Sequence, residues 1–261
     1  MRNLVRYIIT RSLMTIPMVF ILLTIIFGVL RLMPGDPVSA MLGGHAPEKV
    51  IEMKREQLGL NRPMYVQYAD YLWQVCHLNL GESMVLQQKV TTAIAEKLPA
   101  TIELTFFAML ITLVLGVFLG AYAADKRRQF RDSAIRLYGI VVYCIPVYWL
   151  GLMLQLIFGV WFDWLPIAGR TGARIFPSDF EYTGLYIVDT LLMRDWEAFG
   201  DVLIHLVLPS LTLGLTLSGI FVRLTRANML DVLKADYILA AESRGIKHST
   251  IVYKHALKNA F

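Results

Sequence analysis

Apolar and polar positions fall into blocks along this chain rather than mixing. Four long apolar runs stand out, at 12–30, 101–124, 137–162 and 202–222. The first, Ser12 to Leu30, holds no charged residue across its length. A helix rising ~1.5 Å per residue crosses the ~30 Å hydrocarbon layer in about that many residues. In lipid every backbone amide needs an internal partner, so each run is predicted to be a helix. The fold class that follows is all-α, a polytopic helical bundle with four spans. Arg2, Arg6 and Arg11 precede the first run as they would in a signal peptide. The run is longer than the apolar core of such a peptide, and no small-x-small site follows it, so it is expected to persist as a span.

The polar stretches predict smaller elements. Within 33–100, Pro47 to Leu58 reads as a helix closed by Gly59, a residue free to turn left-handed. Asn61 as cap and Pro63 in the first turn open a second helix, Met64 to His77. Its Tyr65, Tyr68 and Trp73 suit the boundary between water and bilayer. A third short helix is expected near Val90 to Leu98, ahead of the second span. This loop reads equally as a structural cap or as a docking surface for a soluble substrate carrier. Beyond the fourth span, 223–261 is polar yet keeps a helical pattern. Gly245 is expected to end one helix and Ser249 to cap the next, which carries Ile251, Val252, Ala256 and Leu257. The result is a helix–Gly turn–helix unit beside the membrane. A hairpin that only binds anionic lipid heads fits the same composition.

Inside the spans, small residues recur at helical spacing. Gly116 and Gly120 are four apart in the second span, and Ser210, Gly214 and Ser218 are four apart in the fourth. Such stripes let two helices approach closely where lipid supplies no hydrophobic force. Pro17, Pro146 and Pro209 each free a backbone carbonyl within a span and are expected to kink it.

Charge then gives the runs a direction. Apolar residues make up 56% of the chain and charged ones only 17%, which places it in the membrane class. The net charge of +5 does not imply a nucleic-acid partner, because the bases cluster beside the apolar runs. Lys126, Arg127, Arg128, Arg131 and Arg136 lie between the second and third runs. Arg223, Arg226, Lys234, Arg244, Lys247, Lys254 and Lys258 follow the fourth. The stretch 163–201 is net acidic, with Asp163, Asp179, Glu181, Asp189, Asp195, Glu197 and Asp201 against Arg170, Arg174 and Arg194. Bases stay on the cytoplasmic side. The N-terminus is therefore predicted to be cytoplasmic, with 33–100 and 163–201 facing outward. Cys76 and Cys144 have no metal-ligand spacing and predict no disulfide.

Chemistry is sparse. No GxxxxGK[ST] loop is present to hold ATP phosphates. No His, Asp or Glu cluster has catalytic or metal spacing, so neither a cofactor nor a metal is expected. His205 and Gln155 are the notable polar residues within spans, and His205 reads first as a packed, hydrogen-bonded residue. An ion-coupled carrier usually needs a buried acid or base as its relay. Energy must then enter from another protein.

The sequence Tyr237-Ile-Leu-Ala-Ala-Glu-Ser-Arg-Gly245, followed by Lys254-His-Ala-Leu-Lys-Asn-Ala260, resembles the EAA loop of binding-protein-dependent ATP-cassette permeases. The variant is similar to the peptide and nickel permease family, first-permease type. Leu239, Ala240 and Ala241 take the E-A-A places, with Leu239 a departure at the first. Further stretches resemble the family in order. They are Arg31-Leu-Met-Pro-Gly-Asp-Pro37, Leu58-Gly-Leu-Asn-Arg-Pro-Met-Tyr-Val-Gln-Tyr68, Leu80-Gly-Glu-Ser83, Leu98-Pro-Ala-Thr-Ile-Glu-Leu104, Ile145-Pro-Val-Tyr-Trp-Leu150 and Trp164-Leu-Pro-Ile-Ala-Gly169.

The resemblance implies a permease subunit of the cytoplasmic (inner) membrane. Its expected partners are a homologous second permease, two ATPase subunits, an extracytoplasmic substrate-binding protein and the bilayer. ATP hydrolysis would lie with the partners, so no enzyme activity is expected here. Asp236, Tyr237, Ala240, Ala241, Glu242 and Gly245 are the residues implied in coupling to the ATPase. Peptides are the implied cargo, with nickel chelates, glutathione-like peptides or oligosaccharides as alternatives. Family members continue past this loop into two more spans, so the chain is expected to be C-terminally incomplete. A stand-alone channel, an ion-coupled carrier and a membrane-embedded enzyme are the rival classes. Each needs intramembrane charges, symmetric halves or a catalytic cluster that the sequence does not offer.

Overall fold

The computed structural model describes residues 2–32, 38–39, 47–57, 59–83, 86, 88–172 and 182–260. The Met33–Pro37 motif and the charges Arg174, Asp179 and Glu181 lie outside them. The chain divides into two compact units, 1–95 and 96–261.

In the first unit, α1 (Arg2–Leu32) runs unbroken through Pro17. Its large side chains between Val5 and Val29 are mostly exposed and apolar, as lipid requires of a span. Helices α2 (Glu48–Gln57) and α3 (Met64–Cys76) follow. Gly59, at φ +67°, closes α2: its amide donates to Glu56 and the next amide, of Leu60, donates to Arg55. That pairing satisfies two carbonyls the helix end would otherwise leave open. Pro63 rather than Asn61 caps α3, while Asn61 donates to Glu52. A proline at the boundary sacrifices no helical amide, so no side-chain cap is needed. Helix α3 packs on α1 through Tyr68, whose hydroxyl is 2.6 Å from that of Thr24 and whose ring meets Phe20 and Phe27.

The short helix expected near Val90 is not separate. It is the start of α4 (Val90–Asp125), continuous through Pro99. At ~1.5 Å per residue this helix is about 54 Å long, well beyond the hydrocarbon layer.

In the second unit, the run expected as one span, 137–162, is divided. Helix α5 (Phe130–Cys144) and α6 (Val147–Leu154, widened into π-type turns over Gln155–Trp161) meet at an angle of 100°. Pro146 lacks the amide that would continue α5 and pushes Ile145 into an extended conformation, φ −74° and ψ 125°. A kink was foreseen there; the structure makes a break. After α7 (Tyr186–Met193), α8 (Trp196–Val232) runs through Pro209 without interruption. Two short helices follow: α9 (Asp236–Ser243) and α10, made of His248–Thr250, the π-type stretch Ile251–Ala256 and Leu257–Ala260. By length and apolarity α1, α4 and α8 can each cross a membrane, and α5 with α6 makes a fourth if the bent pair is one span.

Helix α8 is the one the others share. A Cβ on Gly214 would sit 2.7 Å from Ile111 of α4, one on Gly116 2.3 Å from Phe221, and one on Gly120 2.7 Å from Thr225. Residue numbers rise together along this seam, so α4 and α8 are parallel. Thr112 reinforces it by donating to the Gly214 carbonyl at 3.2 Å. Helix α5 runs the other way: Tyr138 meets Ser218, and Asp132 meets Arg226. The Ser218 hydroxyl donates to Leu215 and accepts from Tyr138 at 2.7 Å. Ser210 is buried without a hydrogen-bond partner among the described residues. The small-residue stripe of α8 thus serves two partners, Gly214 facing α4 and Ser218 facing α5.

The closest α5 contact was not anticipated from the sequence. A Cβ on Gly219 would lie 2.5 Å from the carbonyl oxygen of Gly139. That backbone atom cannot give way. Gly219→Ala is expected to destabilise the protein by about 1–3 kcal/mol, as overpacking does. Thermal unfolding in detergent would show a lower Tm, and an unchanged Tm would contradict the packing.

A candidate coupling surface

The loop after α8 is a folded unit with two faces. Ile238, only 1% exposed, points from α9 into a cluster with Met229 of α8, Ala121 and Ala124 of α4, and Ile251, Val252 and Ala256 of α10. Alanines at the α4 end leave room for these larger chains. At the turn, Gly245 has φ +73°, and a Cβ there would meet nothing within 4 Å. Conformation rather than space demands glycine. Its amide donates to Glu242, and the amide of Ile246 donates to Ala241, which seals the end of α9.

Helix α10 begins at His248, with Lys247 in the capping position and no side-chain cap. Ser249 therefore lies inside the helix, contrary to expectation. His248 bonds the Asp125 carboxylate at the end of α4 instead. Lys126 pairs with the other oxygen of Asp125 at 2.7 Å. Further on, Asn228 of α8 donates to the Ala260 carbonyl, and Asn259 donates to the Tyr237 hydroxyl at 3.1 Å. The loop is thus held at both ends and from beneath.

The residues implied in coupling divide accordingly. Asp236, Tyr237, Ala240, Glu242 and Gly245 are exposed, whereas Ala241 is half-buried against the cluster. Leu239 is also exposed, at 55%, so α9 presents Tyr237, Leu239 and Ala240 outward, interspersed with two acids. Ile238 escaped the motif reading. Its spacing of three from Ala241 marked the buried face.

A second feature stabilises the same end of the unit. Asp132, 2% exposed, accepts from Arg226 Nε at 2.7 Å and Nη2 at 2.8 Å. The Arg128 amide adds a third bond at 3.2 Å. Asp132 lies outside the apolar stretch 137–162. The Arg226 guanidinium, helped by the Arg128 amide, holds its carboxyl below the usual range. A lowered folded-state value means the contribution is full above the ordinary carboxylate range. It is lost as pH falls through the lowered value. A lone acid among five bases was the available signal.

At the opposite end of α4, Glu103 is buried. It accepts from Arg170 at 2.7 Å and from the Ile187 amide at 2.7 Å. Arg170 also donates to the Gly184 carbonyl and lies 3.5 Å from the centre of the Tyr186 ring. Asp189 accepts from Thr183 and Gly184, and Asp201 from the Gly172 amide. These acids pin the 163–172 and 182–195 segments to the helices. His205 is a packed residue, bonded through Nδ1 to the Asp201 carbonyl at 2.8 Å. Gln155 donates to Ile167. Cys76 and Cys144 are free thiols. No group of three metal-binding side chains occurs among the described residues.

Such an arrangement defines a polytopic helical membrane protein that carries a docked helix–Gly–helix unit on the ends of its long helices. Residues 116–261 match the model of the binding-protein-dependent transport system inner membrane component, and residues 4–105 match its N-terminal companion. The dipeptide transport system permease protein DppB of Alkalihalophilus pseudofirmus is 36% identical over 97% of this chain and 76% of its own length. The di/tripeptide transport system permease protein DppB of Pseudomonas aeruginosa is 36% identical, over 94% and 73%. A probable D,D-dipeptide transport system permease protein of Escherichia coli is 37% identical, over 90% and 69%. The chain belongs to the family of binding-protein-dependent transport system inner membrane components. It is accordingly a multi-pass subunit of a transport complex in the inner membrane.

Two substitutions probe how the surface is built. Ile238→Ala removes the buried anchor and is expected to cost about 2–5 kcal/mol, as other core truncations do. Limited proteolysis should then cut near Gly245 sooner than in the parent chain. Asp132→Asn leaves Arg226 without its charge partner. The expected cost is about 3 kcal/mol, the low end for a buried pair because Arg226 keeps some water. The deficit should shrink at acid pH, where the parent carboxylate is itself protonated.

Proposed function

We propose that the chain is the permease subunit of an ATP-driven importer of peptides. Family membership carries this reading, together with relatives whose names specify dipeptide or di/tripeptide transport. Those names favour peptides over nickel chelates, glutathione-like peptides or oligosaccharides. A homologous permease, two ATPase subunits and an extracytoplasmic binding protein complete the complex. Hydrolysis belongs to the ATPase subunits. The N-terminus and the 223–261 loop are cytoplasmic, in keeping with the distribution of Lys and Arg. The chain forms one permease transmembrane domain, with spans at 12–30, 101–124 and 202–222, a bent helix pair over 130–161, and outward segments at 33–100 and 163–201.

In this reading the exposed face of α9 seats in a groove on an ATPase subunit. Tyr237, Leu239 and Ala240 supply apolar contact, and small Ala240 allows close approach. Asp236 and Glu242 set the charge at the rim. Gly245 provides the turn that presents the face. Ala241 acts from below by holding α9 on its cluster. When ATP binding moves the ATPase subunits, the displaced α9 carries α10 and the ends of α4 and α8 with it. The cluster around Ile238 and the Asp125–His248 bond support that transmission. A substrate biases such a cycle only by binding its states unequally.

Reconstitution of the five-subunit complex in proteoliposomes tests the reading. Labelled dipeptide should accumulate only with ATP and binding protein present. Ala240→Arg should lower substrate-stimulated ATPase activity at least about tenfold, the effect of losing about 1.4 kcal/mol of docking. The subunit should still insert and fold. Gly245→Pro should do the same, because proline cannot adopt a positive φ. Normal stimulation in both variants would remove the coupling assignment. ATP-independent uptake would remove the transporter class.

A further inference from the structure

The backbone contact between Gly139 and Gly219 leaves space beside it. A cavity of about 410 Å³ opens between α5 and α8, next to these two glycines. Arg136, Arg223 and Arg226 line it together with Ile140, Tyr143 and Ile220. The arginines are not equally committed. Arg226 turns Nε and Nη2 to Asp132. Arg136 donates to the Ser133 hydroxyl and stays 3.6 Å from Asp132. Arg223 is exposed and shows no ion pair or hydrogen bond among the described residues. Three guanidiniums line the cavity, and one carboxylate, Asp132, pairs with Arg226 and Arg136, which leaves an excess of two positive charges.

We propose that this cavity binds the headgroup phosphate of an anionic phospholipid, with Arg136 and Arg223 as its ligands. The fork of a guanidinium matches two phosphate oxygens at once. Basic pockets between spanning helices suit such headgroups. Depth agrees with this assignment: Arg136 stands at the start of the apolar run 137–162, and Arg223 directly after the run 202–222. Both therefore lie at the level where phosphates sit. Deeper in, Ile140, Tyr143 and Ile220 offer an apolar seat for acyl chains, which a free phosphate ion would not use. The bound lipid would bridge α5 and α8 beside the Asp132–Arg226 pair. The site depends on membrane placement and not on which cargo is carried.

The complex can be purified from vesicles of phosphatidylcholine with phosphatidylglycerol, and retained lipid read by native mass spectrometry. The parent complex should keep phosphatidylglycerol through detergent extraction. The double variant Arg136→Gln, Arg223→Gln should keep about tenfold less, equivalent to about 1.4 kcal/mol, with phosphatidylcholine unchanged. Arg131→Gln, outside the cavity, should behave as the parent does. Ile140→Trp keeps the charges but fills the space, and should also expel the lipid. Equal retention in the double variant would overturn the proposal. So would displacement by inorganic phosphate alone, which would indicate a soluble anion. A small diazirine photocrosslinker, close to isoleucine in size and placed at Ile140, should capture lipid; capture of polypeptide instead would overturn the site as well. Dipeptide uptake is scored separately, so failure here leaves the transport reading intact.

Discussion

Close backbone approach along α8 is the constraint on which the rest of the structure depends. Lipid tails give helices no hydrophobic reason to associate, so contact must come from fit. Helix α8 meets α4 through Gly214, α5 through Gly219 and α6 near Thr212, where Gly151 leaves room. Each contact removes a side chain on at least one side of the seam. Hydrogen bonds then fix the register, from Thr112 to Gly214 and from Tyr138 to Ser218. Because α4 lies parallel to α8 and α5 antiparallel, these few points set the direction of three helices.

The loop after α8 is built onto that arrangement. Its core is continuous with the ends of α4 and α8 rather than separate from them. Polar bonds from Asp125 and Asn228 tie both halves of α10 to the same helices. A flexible hairpin on the bilayer surface would need none of these attachments. The bare lipid-binding alternative explains the loop's charge but not its buried Ile238. The opposite end of α4 follows the same logic with different chemistry. There Glu103 and Arg170 hold the stretches 170–172 and 184–187.

Long apolar runs were legible in the sequence because they depend only on local composition. Gly59 and Gly245 were legible because a positive φ leaves a mark on one residue. The division of 137–162 was only half legible. Pro146 announced a disturbance, but its 100° size depends on where α6 finds contact on α8. Ser249 and Asn61 looked like caps because local pattern ignores competing partners. The structure supplies His248 with Asp125 and starts α3 on a proline instead. The longest-range features left the least trace. Nothing near Gly139 foretells Gly219, and nothing near Asp132 names Arg226. The six loop residues were assigned through family likeness alone, and only the structure separates exposed Ala240 from half-buried Ala241.

The Asp132–Arg226 pair also has a consequence for biosynthesis. Its members are 94 residues apart in the chain. At typical synthesis rates of 5–20 residues per second, Asp132 is made about 5–19 s before its partner. During that interval its charge is answered only locally, by the Arg128 amide and by Arg136 one turn away. The carboxylate then lacks the paired bonds that Arg226 supplies in the finished fold. Completion of α8 ends the wait. The pair therefore forms late in assembly: it closes only once the central helix is present.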